Sequence, residues 1–235
     1  MPTSRSADRL IIAVDGPSGS GKSSVSRAVA ERLGLRYLDT GAMYRALTWW
    51  ALHRGVELRD PATQAKVADL ARGLPLEIGL SPTSTLLTVA GQDVSAVIRE
   101  PRISATVSAV ATNLAVREEL VRRQRALVAG DTGIVIEGRD ITTVVAPDAD
   151  VRVLLTASEQ ARLARRALEV HGSDDDAAIA ATHDHVVRRD ATDSTVATFT
   201  EAAEGVTIVD SSALTFEETV DAILDLVRQT TSVRS

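Results

Sequence analysis

Eight consecutive residues, Gly16-Pro17-Ser18-Gly19-Ser20-Gly21-Lys22-Ser23, satisfy every fixed position of G-x-x-x-x-G-K-[ST]. Those residue types at that spacing suit one kind of chemistry. The glycines let the backbone curl so that successive N–H groups converge on a phosphate, and a helix starting at the loop adds its positive end. The Lys22 ammonium can reach β- and γ-phosphates, and the Ser23 hydroxyl is a ligand for Mg²⁺. Gly16 through Ser24 is therefore assigned to a Mg-bound nucleoside triphosphate. An ordinary glycine turn would require neither the lysine nor the spacing.

A second group follows at Leu38-Asp39-Thr40-Gly41-Ala42-Met43-Tyr44-Arg45, with an acid, a hydroxyl, a phenol and a guanidinium at the opening of a helix. Thr40 is expected to cap that helix. Arg45 can grip a second phosphate with two prongs. Asp39 has two open readings, holding a Mg²⁺-bound water or capping the helix. Farther on, Arg162, Arg165 and Arg166 stand at i, i+3 and i+4, on one helix face. One or two of them are expected to close over the phosphates and exclude water; a solvated face is the alternative. Neither N-K-x-D nor S-G-G-Q occurs, which weighs against a GTPase or a transport ATPase.

The elements that must position these groups are legible from periodicity. Continuous apolar runs at Leu10–Val14, around Arg36–Leu38, at Gly133–Glu137, Val151–Leu155 and Val206–Val209 read as strands buried on both faces. Helical spacing is present at Ser23–Leu33, Met43–His53, roughly Arg102–Val128, Ser158–Val170, Ala177–Arg189 and Phe216–Arg228. That alternation predicts an α/β fold with a doubly wound, parallel, five-stranded sheet. Ligands of such folds lie beyond the carboxyl ends of the strands, where this chain carries Asp15, Asp39, Glu137, Thr156 and Asp210. Residues 59–100 break the pattern with two or three short strands around turns, predicting a small antiparallel β-rich insert. The core is then 1–58 and 101–235, with a lid at about 158–190.

Composition narrows the classes further. The 235 residues hold 26 Lys and Arg against 32 Asp and Glu, a net charge of −6, which argues against a broad nucleic-acid surface. There is no cysteine, so thiol catalysis, thiolate metal sites and disulfides are excluded. No segment has the length of a signal peptide or membrane span, so a cytoplasmic monomer working on small molecules, with no membrane partner, is expected. His183 and His185 sit at i and i+2, too far apart around a helix to share one ion. Asp174-Asp175-Asp176 reads as a helix-capping turn. Trp49 and Trp50 read as packing against the insert.

The loop in the form D-G-P-S-G-S-G-K-S, the L-D-T-G-A-M-Y-R block, the stretch Gln92-Asp93-Val94-Ser95-Ala96-Val97-Ile98-Arg99 and Glu137-Gly138-Arg139-Asp140 resemble, in order, the bacterial cytidylate kinases. So do Val116-Arg117, Arg122-Arg123-Gln124-Arg125, the Ala146-Pro147-Asp148-Ala149 turn, and Arg188-Arg189-Asp190 with Asp193. The resemblance runs from about residue 10 to 227. It implies transfer of the γ-phosphoryl group of ATP to CMP or dCMP, with Mg²⁺, and makes the insert an NMP-binding lobe. By the same resemblance Thr40, Ser108, Arg117 and Asp140 would read the cytosine or its surroundings, and Tyr44 is a further substrate-binding residue. Arg45 and Arg139 would hold the CMP phosphate, and Arg189 and Asp193 the ribose. Lys22, Arg45, Arg139, Arg162 and Arg166 would stabilise the moving charge.

Two positions depart from the family pattern: Val196 stands where an arginine is usual, and Thr142 where glycine is common. Two other readings compete. A kinase for an uncharged hydroxylated metabolite does not need a second phosphate clamp. A nucleotide-binding module without catalysis does not need Lys22, Ser23, Arg45, Arg139 and Asp140 together.

Overall fold

The computed structural model describes residues 9–84 and 86–232, with the side chains of Glu169, Asp184, His185, Arg188 and Arg189 outside that set. The chain opens with β1 (Ile11–Asp15), α1 (Lys22–Leu33), β2 (Arg36–Asp39) and α2 (Thr40–His53). Then come α3 (Gln64–Arg72), β3 (Leu76–Ile78), β4 (Leu87–Val89) and β5 (Gln92–Asp93). Three helices follow, α4 (Pro101–Ser104), α5 (Val107–Ala111) and α6 (Leu114–Val128). The remainder is β6 (Ile134–Gly138), β7 (Val151–Thr156), α7 (Glu159–His171), α8 (Asp176–Asp193), β8 (Thr207–Asp210) and α9 (Phe216–Ser232).

The main sheet has the order β2-β6-β1-β7-β8 and every pair is parallel, the predicted α/β class. Alternating side chains serve two cores. Ile11 and Ala13 pack with Leu38, Ile134 and Ile136 toward α2 and α6. Ile12 and Val14 pack with Val135, Val153 and Leu155 toward Val25 and Val29 of α1 and Val220 and Ile223 of α9. Register brings the strand ends together: Asp15 opposes Gly138 and Leu154, Asp39 opposes Glu137, and Thr156 opposes Asp210.

Residues 59–100 contain the expected antiparallel sheet, β3-β4-β5. They also contain α3, which the strand-dominated reading of this segment does not anticipate. Its signals are the Pro61–Thr63 turn that leads into it, capped by the Asp60 carboxylate accepting from Ala62 N, and the Val67/Ala71 spacing, with both of those side chains buried. The N-cap of α6 and one residue within it tie it down: Asn113 Nδ2 donates to Gln64 O at 3.0 Å, and Arg123 donates to Ala71 O and Arg72 O in the last turn of α3 and to Leu74 O beyond it at 2.7 Å.

The single helix read at Arg102–Val128 is corrected to α4, α5 and α6. Asn113 stops the continuous helix by taking an extended backbone and capping α6, accepting from Ala115 N and Val116 N. Thr106 turns its hydroxyl back to Arg102 O between α4 and α5. The bends let Ile103, Val107, Val110 and Val116 all enter one core.

Candidate active site

The phosphate loop joins β1 to α1. A Cβ at Gly16 would stand 2.3 Å from Leu155 O, and one at Gly19 2.5 Å from Arg162 O. Glycine is therefore required for the loop to lie against β7 and α7. Gly21, at φ +86°, is the N-cap of α1 and offers no side chain to it. By contrast Asp39, Asn113, Ser158 and Asp175 cap α2, α6, α7 and α8 with side-chain acceptors. The first amides of α1 are left for an anion, as the motif requires. Lys22 Nζ lies 3.3 Å from Pro17 O, Ser24 Oγ donates to Gly21 O, and Ser20 Oγ is buried with no hydrogen-bond partner among the described residues.

Beside this loop lies a buried acidic pair. Ser23 Oγ donates to Glu137 Oε1 at 2.7 Å. Asp39 is the register neighbour of Glu137 on the adjoining strand. Burial and then the Asp39 charge push the Glu137 carboxyl up to about 7. Asp39 is held below its usual range: burial opposes this, but the Arg45 guanidinium, the Ala42 N–H and the Arg99 and Lys22 charges outweigh it. A hydroxyl and two carboxylates form an all-oxygen donor set suited to Mg²⁺. Among the described residues no three His, Cys, Asp or Glu converge as a metal cage, so a cation here would need nucleotide oxygens as well.

The capping role belongs to Asp39 and not to Thr40. Asp39 Oδ1 accepts from Ala42 N at 2.8 Å, while Oδ2 pairs with Arg45 at 2.9 Å. Thr40 adopts the helical conformation and donates instead to Glu137 O at 2.8 Å. The reason is position: the N-cap must have an extended backbone, which Asp39 retains as the last residue of β2.

The loop opens into a cleft of about 690 Å³. Residues from Ser18 to Ser24 line it, as do Arg165 and Arg166. Asp39, Thr40, Tyr44, Arg45, Arg117, Arg139, Asp140 and Asp193 also line it. Arg117 and Asp140 form a close ion pair across α6 and the end of β6. Burial nevertheless raises the Asp140 carboxyl, with Arg117 opposing. Ser108 Oγ donates to Asp193 Oδ1 at 2.9 Å and so reaches the site through that carboxylate. Arg162 turns beneath the cleft, donating to Ser18 O at 2.9 Å and Asp190 Oδ2 at 2.5 Å. Arg165 reaches Ser20 O, Ser211 Oγ and Ser211 O. The Arg189 side chain lies outside the described set.

Four residues to which sequence reasoning gives no role enter the site. Glu137 is the partner of Ser23. Arg99 lines the cleft with its guanidinium 4.0 Å from Asp39. Asp190 accepts from Arg139 Nη1 at 2.8 Å, and Asp193 from Arg139 Nε at 3.0 Å. Phe199, 1% exposed, lies under the Arg139 guanidinium at 4.3 Å from its ring centre. The structure places both departures from the family pattern. Val196 forms uncharged cleft wall. Thr142 Oγ1 donates to the buried Asp15 carboxylate at 2.7 Å, beside the Ile141 and Thr142 amides at 2.8 Å. Glu137 and Arg99 could have been found from their strand-end and motif positions; Phe199 left no local signal.

A family model described as cytidylate kinase matches residues 12–229. A cytidylate kinase of Cutibacterium acnes is 51% identical over 223 residues, covering 94% of this chain and 97% of the relative. One of Streptomyces avermitilis is 44% identical over 228 residues, covering 96% and 95%. Among solved structures, an uncharacterized protein from Eubacterium ventriosum has a TM-score of 0.51 at 12% identity, covering 94% of this chain and 99% of that one, a likeness of fold alone. Among the described residues no helix is long and apolar enough to cross a membrane.

Proposed function

This chain belongs to the cytidylate kinase family, and we propose that it transfers the γ-phosphoryl group of Mg-ATP to CMP or dCMP, giving ADP and CDP or dCDP. The observation that carries the reading is one cleft lined both by the uncapped start of α1 and by two further guanidinium groups, Arg45 and Arg139, together with the Arg117–Asp140 pair. A second guanidinium pair suits an acceptor that already carries a phosphate, and an uncharged acceptor has no use for it.

Each residue then has a task. Asp140 accepts from the exocyclic amine of cytosine while Arg117 donates to its ring acceptors, with Thr40, Tyr44 and Ser108 around them. Asp193 and Arg189 take ribose hydroxyls, and Arg45 and Arg139 hold the acceptor phosphate. We assign residues 59–100 to the lobe over the acceptor and 158–190 to the lid. Mg²⁺, held through Ser23 with Glu137 and Asp39 behind it, would neutralise β- and γ-oxygens. An acceptor oxygen forms its bond to Pγ as the bond from Pγ to the β,γ-bridging oxygen breaks. That acceptor oxygen is anionic at neutral pH, so alignment and charge carry the reaction and no general base is needed. Lys22, Arg45, Arg139, Arg162 and Arg166 supply positive charge as the reaction proceeds.

The test is ADP release from Mg-ATP with CMP, dCMP, UMP, AMP, GMP and shikimate as acceptors. Dominant turnover of CMP and dCMP is expected. Equal use of UMP would remove Asp140 as base reader, and preference for shikimate would overturn the reading.

A further inference from the structure

Asp190 stands on α8, one turn before Asp193, and is 9% exposed. Its carboxylate contacts three parts of the site at once. Oδ1 accepts from Ser18 N in the phosphate loop at 3.2 Å and from Arg139 Nη1 at 2.8 Å. Oδ2 accepts from Arg162 Nη1 at 2.5 Å, and that same guanidinium nitrogen donates to Ser18 O at 2.9 Å. On the kinase reading the phosphate loop serves the donor and Arg139 the acceptor, while Arg162 belongs to the helix packed on Gly19. A single side chain therefore joins donor loop, acceptor arginine and α7.

We infer that Asp190 is a positioning residue that couples the two substrate sites, an inference resting on the kinase reading above. One carboxylate shared by two guanidinium groups and a loop amide is a network in which moving any member changes the others. A phosphate drawn to Arg139 competes with Asp190 for it, and the displaced carboxylate shifts toward Arg162 and the Ser18 amide. Filling the acceptor site thus alters the donor loop and α7, and linkage makes the effect reciprocal. Arg139 keeps its aim during the exchange because Asp193 holds Nε and Phe199 supports the guanidinium face.

The experiment is an initial-rate matrix in ATP and CMP for the wild type, Asp190→Asn, Asp190→Glu and the surface control Asp221→Asn, with melting temperatures for all four. Binding coupling is read from melting shifts with a non-hydrolysable ATP analogue and CMP, alone and together. In the wild type the KM for CMP is expected to depend on ATP, and the combined melting shift to differ from the sum. In Asp190→Asn the KM for CMP becomes independent of ATP, the melting shifts become additive, and kcat falls about tenfold or more, the scale of misplaced groups. Asp190→Glu, which keeps the charge, restores part of the coupling. If Asp190→Asn does not fold, Asp190→Ser takes its place, and wild-type coupling and kcat in that variant overturn the inference. A folded Asp190→Asn with wild-type kcat and coupling overturns it while the kinase reading stands. A wild type that does not phosphorylate CMP overturns both.

Discussion

The Ser23 hydroxyl donates to the Glu137 carboxylate at 2.7 Å, joining the first turn of α1 to the end of β6 across a separation of 114 residues. The contact places a proton-accepting group directly behind a hydroxyl expected to face Mg²⁺. Burial of that carboxylate beside Asp39 raises its proton affinity, with the Ser23 bond opposing, and this predicts a pH-dependent stability for the ligand-free protein.

Glu137 binds its proton more tightly in the folded chain than in the unfolded one, since burial and Asp39 raise it to about 7. Its contribution to stability is full below the unfolded value and is lost as pH rises through about 7. In EDTA, the melting temperature should fall between pH 5 and 8, and Glu137→Gln should flatten that slope. Calorimetric scans across the range check the sign; an equally steep slope in the variant would remove Glu137 as its source.

Thr142 and Asp15 make a second measurable pair. Asp15 is 1% exposed and accepts from the Ile141 and Thr142 amides as well as from the Thr142 hydroxyl. Thr142→Val keeps the shape and removes one buried donor, so a loss of about 1–3 kcal/mol is expected in urea denaturation. Turnover per folded molecule should change little, because Thr142 does not line the cleft.

Phe199 and Val196 predict opposite effects on acceptor affinity. Phe199→Leu removes the ring beneath Arg139 and should raise the KM for CMP roughly 3–10-fold, consistent with about 1 kcal/mol for a partly desolvated cation–π contact. Val196→Arg adds a guanidinium to the cleft wall and should lower that KM. Steady-state kinetics on both variants decides, and no change in either would uncouple the 194–199 stretch from acceptor binding.

Discrimination between bases should follow Asp140. It is 6% exposed and paired to Arg117, so Asp140→Asn leaves Arg117 without its counter-ion and replaces a pure acceptor with an amide. The CMP:UMP ratio of kcat/KM should drop by about 10²-fold or more, because the new amide can turn its NH2 to the uracil carbonyl as readily as its oxygen to the cytosine amine.

Gly19→Ala tests the seat of the loop against α7. Gly19 holds φ +78°, and its Cβ would meet Arg162 O at 2.5 Å. Strain of about 1–2 kcal/mol from the left-handed conformation, with the clash added, should lower both the melting temperature and kcat. A stable variant with full activity would mean the loop does not need α7 at this distance.

The phosphate loop, the parallel α/β core and most of the charged residues that line the cleft are legible from residue order alone. Those features follow from short-range rules: glycine conformations, apolar runs of strand length, and helical spacing operate within a few residues. The same rules failed where a helix was decided by its neighbours. The Val67/Ala71 spacing at Gln64–Arg72 is a short local signal beside the strands that follow it, and α3 is tied down by Asn113 and by Arg123 of α6. The break before α6 turned on whether the Asn113 side chain would cap it, which spacing alone does not reveal.

Tertiary structure decided the electrostatics. Arg139 meets Asp190 across 51 residues and Thr142 meets Asp15 across 127, so neither pair leaves a periodic trace in the chain. Partners of this kind are chosen by which strand ends and helix faces the sheet order brings together. For a buried charge that choice is what sets its protonation and its aim.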